Sequence, residues 1–225
     1  MNRVKKVLGW LTFIMVFIAT YLVFMWVPNE RIMGPVQKIF YFHVASAWVA
    51  FLAFLVVFYA GVLYLKTRNE KWDAVGAASA EIGIMFTVIV LVTGPIWGRA
   101  AWNAWWTWDP RLTTTLVLFF IYVAYFLVRS SILEPEERAR IAAIFGLVGF
   151  IDVPIVWFSI RWWRTIHPVV VSSSGFTMSP KMVVTLLVSV LALTLLYFYL
   201  LTNTMFVVKL RSELASLKAV IREGR

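Results

Sequence analysis

Six apolar runs, each close to the length of a membrane span, decide most of what this chain can fold into. They cover residues 7–27, 40–65, 74–96, 112–128, 141–160 and 182–208. A helix needs about 20 predominantly apolar residues to cross the hydrocarbon core. Lipid offers no partner for backbone N–H and C=O groups, so only helices and closed barrels can span it, and runs of this length fit helices. The fourth run is short and relies on flanking residues to reach both interfaces. With 62% hydrophobic and only 14% charged residues, the 225-residue chain lies far from the quarter charged that a soluble domain carries. The expected fold is an all-α integral membrane protein, a single membrane domain over 1–225 with six transmembrane helices. The first run follows Arg3, Lys5 and Lys6 and so looks like a signal peptide. It exceeds an h-region of about 7–15 residues and ends in no small-x-small site, so it reads as a retained first span.

The net charge of +10 does not point to nucleic acid, because the basic residues flank the apolar runs. With six spans, 14 Lys and Arg fall on the side of the termini and of the loops near 66–71 and 129–140, against 7 on the other. The positive-inside rule then puts both termini in the cytoplasm and the loop 97–111 outside, which in a bacterium is the periplasmic face of the inner membrane. Gly34-Pro35 reads as the opening of the second helix. Asp109-Pro110 and Ser179-Pro180 read as N-cap plus first-turn proline for the fourth and sixth. In the tail 209–225, Leu210, Leu214, Leu217 and Ile221 share one helical face among basic residues, as in an amphipathic helix on anionic lipid. No nucleotide-binding loop is visible, so an energy source has to come from another chain. There is no Cys, which excludes disulfides, thiolate metal sites and covalent C-x-x-C-H attachment of haem.

The stretch 97–112 reads W-G-R-A-A-W-N-A-W-W-T-W-D-P-R-L, with five of the twelve Trp: Trp97, Trp102, Trp105, Trp106 and Trp108. An interfacial aromatic belt places one or two Trp at each helix end. Here the loop itself is the aromatic surface, which suits a large, flat, apolar ligand arriving at the membrane edge. If the segment is helical, Trp102, Trp105, Trp106 and Asp109 fall on one face. Asp109 has two readings, helix cap and site residue.

Both histidines, His43 in Y-F-H-V-A-S-A-W and His167 in R-W-W-R-T-I-H-P, map to that same side, and Ser46 and Ala47 leave room beside His43. Two neutral imidazoles on an aromatic, water-poor surface suit a bis-His haem site, whereas zinc takes three or four ligands that no acidic or thiolate cluster supplies. Arg99, Arg111, Arg161 and Arg164 are then candidates for haem propionates, or equally for lipid headgroups. Two acids fall inside spans, Glu81 and Asp152, and both are expected to face the bundle. Glu81 reads as structural, while Asp152 stays open between structure and function. Pro154, close to Asp152, is expected to kink the fifth helix.

These motifs resemble a known family. The tryptophan-rich stretch is similar to the WWD signature of haem-handling proteins. The segments around His43 and His167 resemble those of one branch, the haem exporter protein C (CcmC) family of the system I cytochrome c maturation machinery, over nearly the whole chain. The resemblance implies that haem b is held non-covalently and transiently at the outer face. His43 and His167 would be its axial, metal-ligating residues, with the stretch from Trp97 to Asp109 against the ring. It implies presentation to a periplasmic haem chaperone, the E component, beside ABC-type A and B subunits that hydrolyse ATP and a small single-span D subunit. It implies a carrier, not an enzyme. One position departs from the pattern: Pro168 follows His167 where a polar residue is expected. Two alternatives from other classes are a bis-His b-type cytochrome in electron transfer and a haem-free scaffold subunit.

Overall fold

The computed structural model describes residues 3–31, 33–168, 170–172 and 175–223, with backbone alone at 171, 172, 209 and 211–223. Helix α1 (Arg3–Tyr21) runs on through a π-helical turn, Leu22–Trp26. A 3₁₀ turn, Pro35–Lys38, leads into α2 (Ile39–Thr67) from Gly34, whose φ of 58° suits a residue without a Cβ. Then follow α3 (Glu70–Trp102), α4 (Pro110–Ser131), α5 (Pro135–Gly149) and α6 (Asp152–Trp162). A minimal antiparallel hairpin pairs β1 (Val171–Ser172) with β2 (Gly175–Phe176), and α7 (Pro180–Glu223) closes the chain. Six stretches are long and apolar enough to cross a membrane: α1 with its π turn, α2 with its 3₁₀ turn, α3, α4, α5 with α6, and α7 to Val208.

Helix α2 is the axis of the bundle, packed on α3, α5 and α7, while α4 packs on α3, α5 and α6, and α1 leans on α7. Val49, Ala53, Phe54, Ile82, Leu118 and Tyr122 meet in the core, where the Phe54 and Tyr122 rings stack at 3.7 Å. Small residues set the helix spacing, as expected where helices associate by packing and not by exclusion of water. A Cβ on Gly61 would lie 2.5 Å from Leu147 Cδ1 and 3.1 Å from the Ala143 carbonyl oxygen. Polar groups join the helices as well. The Ser79 hydroxyl donates to the Ala53 carbonyl at 2.8 Å and shares a 2.7 Å hydrogen bond with the Tyr197 hydroxyl. Arg129 of α4 grips Asp73 of α3 with two hydrogen bonds, of 2.5 and 2.6 Å. Lys5 lies 4.0 Å over the Phe206 ring, so the start of α1 and the end of the apolar part of α7 share one end of the bundle.

Three features differ from the sequence reading. The third helix passes 96 and ends at Trp102, so Trp97 and Arg99 are helical. In this added stretch the Trp102 ring folds back over Gly98, where a Cβ would come within 3.2 Å of Cε3. Asn103, at φ 57°, then stops the helix, and Arg99 Nη1 donates to the Asn103 carbonyl at 2.6 Å. The segment 103–109 is therefore not helical, and Trp102, Trp105, Trp106 and Asp109 do not form a helical face. The fifth span breaks at Phe150–Ile151, between α5 and α6. Pro154 has no N–H for the Phe150 carbonyl, which accepts instead from Val153 N at 3.0 Å. Glu81 is exposed on the bundle surface, because Ala80, Ile82 and Gly83 take the packed side of α3. Asp152 does face inward, and its Oδ2 has no partner among the described residues. In the tail the α7 backbone stays helical to Glu223, but the side chains of Leu214, Leu217 and Ile221 lie outside the described residues.

Candidate ligand-binding site

At the end of the bundle that carries the tryptophan stretch, α2, α3, α4, α6 and α7, with His167, Pro168, Val170 and Phe176 from the loop between the last two, line a cavity of about 510 Å³. That lies within the range of pockets that bury a small ligand, about 300–1,000 Å³. Its walls are apolar and aromatic, with Trp48 and Phe51 from α2, Leu91 and Pro95 from α3, Trp157 from α6 and Leu187 from α7. Trp48 is anchored across the wall by its indole N–H, which donates to Thr194 Oγ1 at 3.1 Å. Both histidines of the chain line this one cavity, although 124 positions separate them. Ala47 lines it beside His43, while Ser46 is buried away from it.

His43 enters from the first turns of α2, and its Nδ1 lies 2.9 Å from Thr93 Oγ1 on α3. Gly94 gives the ring its place, since a Cβ there would stand 3.3 Å from His43 Cε1. His167 comes from the loop after α6, with Nδ1 3.3 Å from the Pro168 carbonyl and its ring 6.2 Å from that of Trp102. Burial, then the positive Arg111 and the neighbouring His43, push the His167 imidazole down to about 3 from the ordinary 6.5. It is therefore neutral at physiological pH, the form that offers a lone pair to a metal. Among the described residues no group of three or more His, Asp or Glu gathers as a metal site, so the two imidazoles stand as a pair.

Of the two readings of Asp109, the structure shows the cap, and adds a link to the segment before His167. Its Oδ1 accepts from Arg111 N at 3.0 Å and caps α4, with Pro110 in the first turn. Its Oδ2 accepts from Thr165 Oγ1 at 2.6 Å and from Ile166 N at 3.0 Å. The Thr165 hydroxyl in turn accepts from His167 N at 3.0 Å. Buried at 8% exposure, this carboxylate ties the tryptophan stretch to the loop that carries His167 and does not itself line the cavity. Thr93 and Thr165 were not legible as site residues: Thr93 is an ordinary mid-helix Thr, and only its place two residues before His167 marks Thr165.

The aromatic stretch divides in two. Trp97, Trp102 and Trp106 line the cavity, and the Trp97 and Trp102 rings meet edge to face at 5.3 Å. Trp105 and Trp108 turn outward, 60% and 76% exposed. The arginines divide as well. Arg111 and Arg161 line the cavity, Arg99 caps α3, and Arg164 stays outside. At the cavity the buried Trp97 Nε1 has no partner among the described residues, and the Arg111 guanidinium lies in the field of the Asp109 carboxylate.

Residues 1–220 match the family described as heme exporter protein C. The chain belongs to the heme exporter protein C family. A heme exporter protein C of Bradyrhizobium diazoefficiens is 36% identical over 172 residues, which is 76% of this chain and 65% of that protein. The heme exporter protein C of Escherichia coli is 31% identical over 185 residues, 82% of this chain and 73% of its own. A cytochrome c biosynthesis ccmC-like mitochondrial protein of Marchantia polymorpha is 33% identical over 199 residues, 88% of this chain and 82% of its own. The match to the Bradyrhizobium protein thus spans just under two thirds of that relative's length.

Proposed function

We propose that this protein is a haem-handling component of cytochrome c maturation, which holds haem b non-covalently at the outer membrane face and passes it on. The observation that carries this reading is the convergence of both histidines and three tryptophans on one apolar cavity. The names of its relatives, heme exporter protein C and a cytochrome c biosynthesis protein, agree with it. The residues present suit such a cargo. His43 and His167 supply two neutral imidazole ligands to iron, and Trp97, Trp102 and Trp106 supply flat apolar surface. The guanidinium of Arg111, which lines the cavity, and the Trp97 N–H, without a partner among the described residues, supply donors for carboxylates. Haem brings the iron and the vinyl edge on which later covalent attachment depends. The chain brings position, exclusion of water and neutral ligands.

Trp105 and Trp108, both exposed, form the surface offered to the periplasmic chaperone, the E component. The protein has no catalytic base to assign. ATP hydrolysis belongs to partner A and B subunits, with a small D subunit beside them in the bacterial inner membrane. A chain with only two histidines, both at one end of the bundle, suits a carrier better than a cytochrome that moves electrons across the bilayer.

The test is the absorption spectrum of the purified protein, oxidised and reduced, beside His43→Ala and His167→Ala. The expected result is a low-spin bis-His spectrum altered by either substitution. A protein that stays haem-free when haem is supplied would leave the scaffold reading standing instead.

A further inference from the structure

The two histidines are held very differently. Among the described residues His167 Nδ1 reaches only the carbonyl of its own neighbour Pro168, at 3.3 Å, in a loop. His43 Nδ1 meets Thr93 Oγ1 at 2.9 Å, across an interface between two long helices. A threonine hydroxyl has one proton, and that of Thr93 is committed: it donates to the Ile89 carbonyl one turn back at 2.6 Å. Towards His43 the hydroxyl oxygen can then only accept. Nδ1 has to carry the imidazole proton, and Nε2 has to carry the lone pair. Gly94, the next residue on α3, meets the same edge of the ring, so Nδ1 is the nitrogen turned to α3 and Nε2 is the one left to the cavity.

We infer that Thr93 is a positioning residue that fixes the tautomer and ring plane of His43, presents Nε2 to the cavity, and so makes His43 the anchored ligand of the pair. The inference rests on the haem reading of the cavity for its ligand, but the tautomer itself is a property of the protein alone. A ligating histidine whose second nitrogen is hydrogen-bonded keeps its orientation and basicity, and loss of such a partner costs about 10–100-fold in metal affinity. A neutral hydroxyl acceptor also polarises the imidazole less than a carboxylate would, which suits a ligand that has to give up its metal.

Two measurements test this on the full chain. In haem-free protein labelled with ¹⁵N-histidine, His43 is the resonance retained in His167→Gln, and it should report the Nδ1–H tautomer. Thr93→Val, of the same shape without the acceptor, should shift it towards Nε2–H, and Thr93→Ser should restore it. In haem-loaded protein, transfer of haem to apomyoglobin should be about tenfold or more faster from Thr93→Val, and near the parental rate from Thr93→Ser. An Nε2–H His43 in the unsubstituted chain, or parental haem release from Thr93→Val, overturns the inference. If the parent binds no haem but shows the tautomer and its shift, the positioning of His43 stands and the haem reading alone fails.

Discussion

At the scale of single residues, Asp109 carries more of the site than its capping position suggests. One carboxylate accepts three hydrogen bonds from two segments, so its removal should loosen the His167 loop and the start of α4 together. Loss of a cap costs about 1 kcal/mol and loss of a charged hydrogen bond about 1.5–3, which puts Asp109→Ala at about 2–4 kcal/mol. Thermal unfolding should show that loss, and the haem spectrum should change as it does in His167→Ala. Asp109→Asn keeps the cap but turns an amide N–H₂ towards the Ile166 N–H, two donors facing each other. It should fall between wild type and Asp109→Ala on both measures. His167 sets a pH dependence. Its folded value of about 3 lies below the ordinary 6.5, so between those values the unfolded chain binds the proton and the folded one does not. Stability of the haem-free protein should therefore fall as pH drops from about 6.5 towards about 3. His167→Gln, which does not titrate, should make the melting temperature less dependent on pH over that window.

At the scale of elements, α3 and α2 decide where the site lies. The six extra residues of α3 past 96 carry Trp97 and Trp102 to the cavity, and the αL turn at Asn103 releases the chain into the irregular run ending at Asp109. This end of α3 was not legible, because the apolar run stops at 96 and the tryptophan stretch that follows reads as a loop. In the structure the helix runs on through Pro95, and the Trp102 ring folds back over Gly98. Further along α2, the crossing with α5 depends on Gly61. Gly61→Val should destabilise the protein by about 1–3 kcal/mol, the usual cost of overpacking. The neighbouring Ala143 carbonyl is backbone and has little freedom to retreat. Unfolding in detergent should register this loss, while the haem spectrum, which depends on the other end of α2, should stay unchanged.

At the scale of the whole molecule, the ends of the bundle differ in chemistry. One has the cavity, the outward Trp105 and Trp108 and the His167 loop. The other has the termini of α1 and of the apolar part of α7, the Asp73–Arg129 pair and the acidic start of α5. The excess of Lys and Arg at the second end predicts that it faces the cytoplasm. The absence of Cys makes this directly testable. A Trp108→Cys protein, at a position 76% exposed, should react with a membrane-impermeant maleimide in intact spheroplasts. Leu133→Cys, at 92% exposure, should react only after permeabilisation. The reverse pattern would invert the topology.

The sequence by itself determined the six helical spans, the proline starts of α4 and α7, the two histidines as the candidate ligands and the tryptophan stretch as the aromatic element. Each of these follows from a local rule: the bilayer demands long apolar helices, caps have residue preferences, and rare residue types stand out in one dimension. The tertiary structure alone decided which Trp and Arg turn inward, that Asp109 reaches Thr165 and Ile166, and that Thr93 commits the tautomer of His43. Those choices depend on the rotation of each helix about its axis and on contacts 50 to 57 positions apart along the chain. Helix rotation is set by packing against neighbours, as at Gly61 and Gly94, and an apolar run reads much the same from every side.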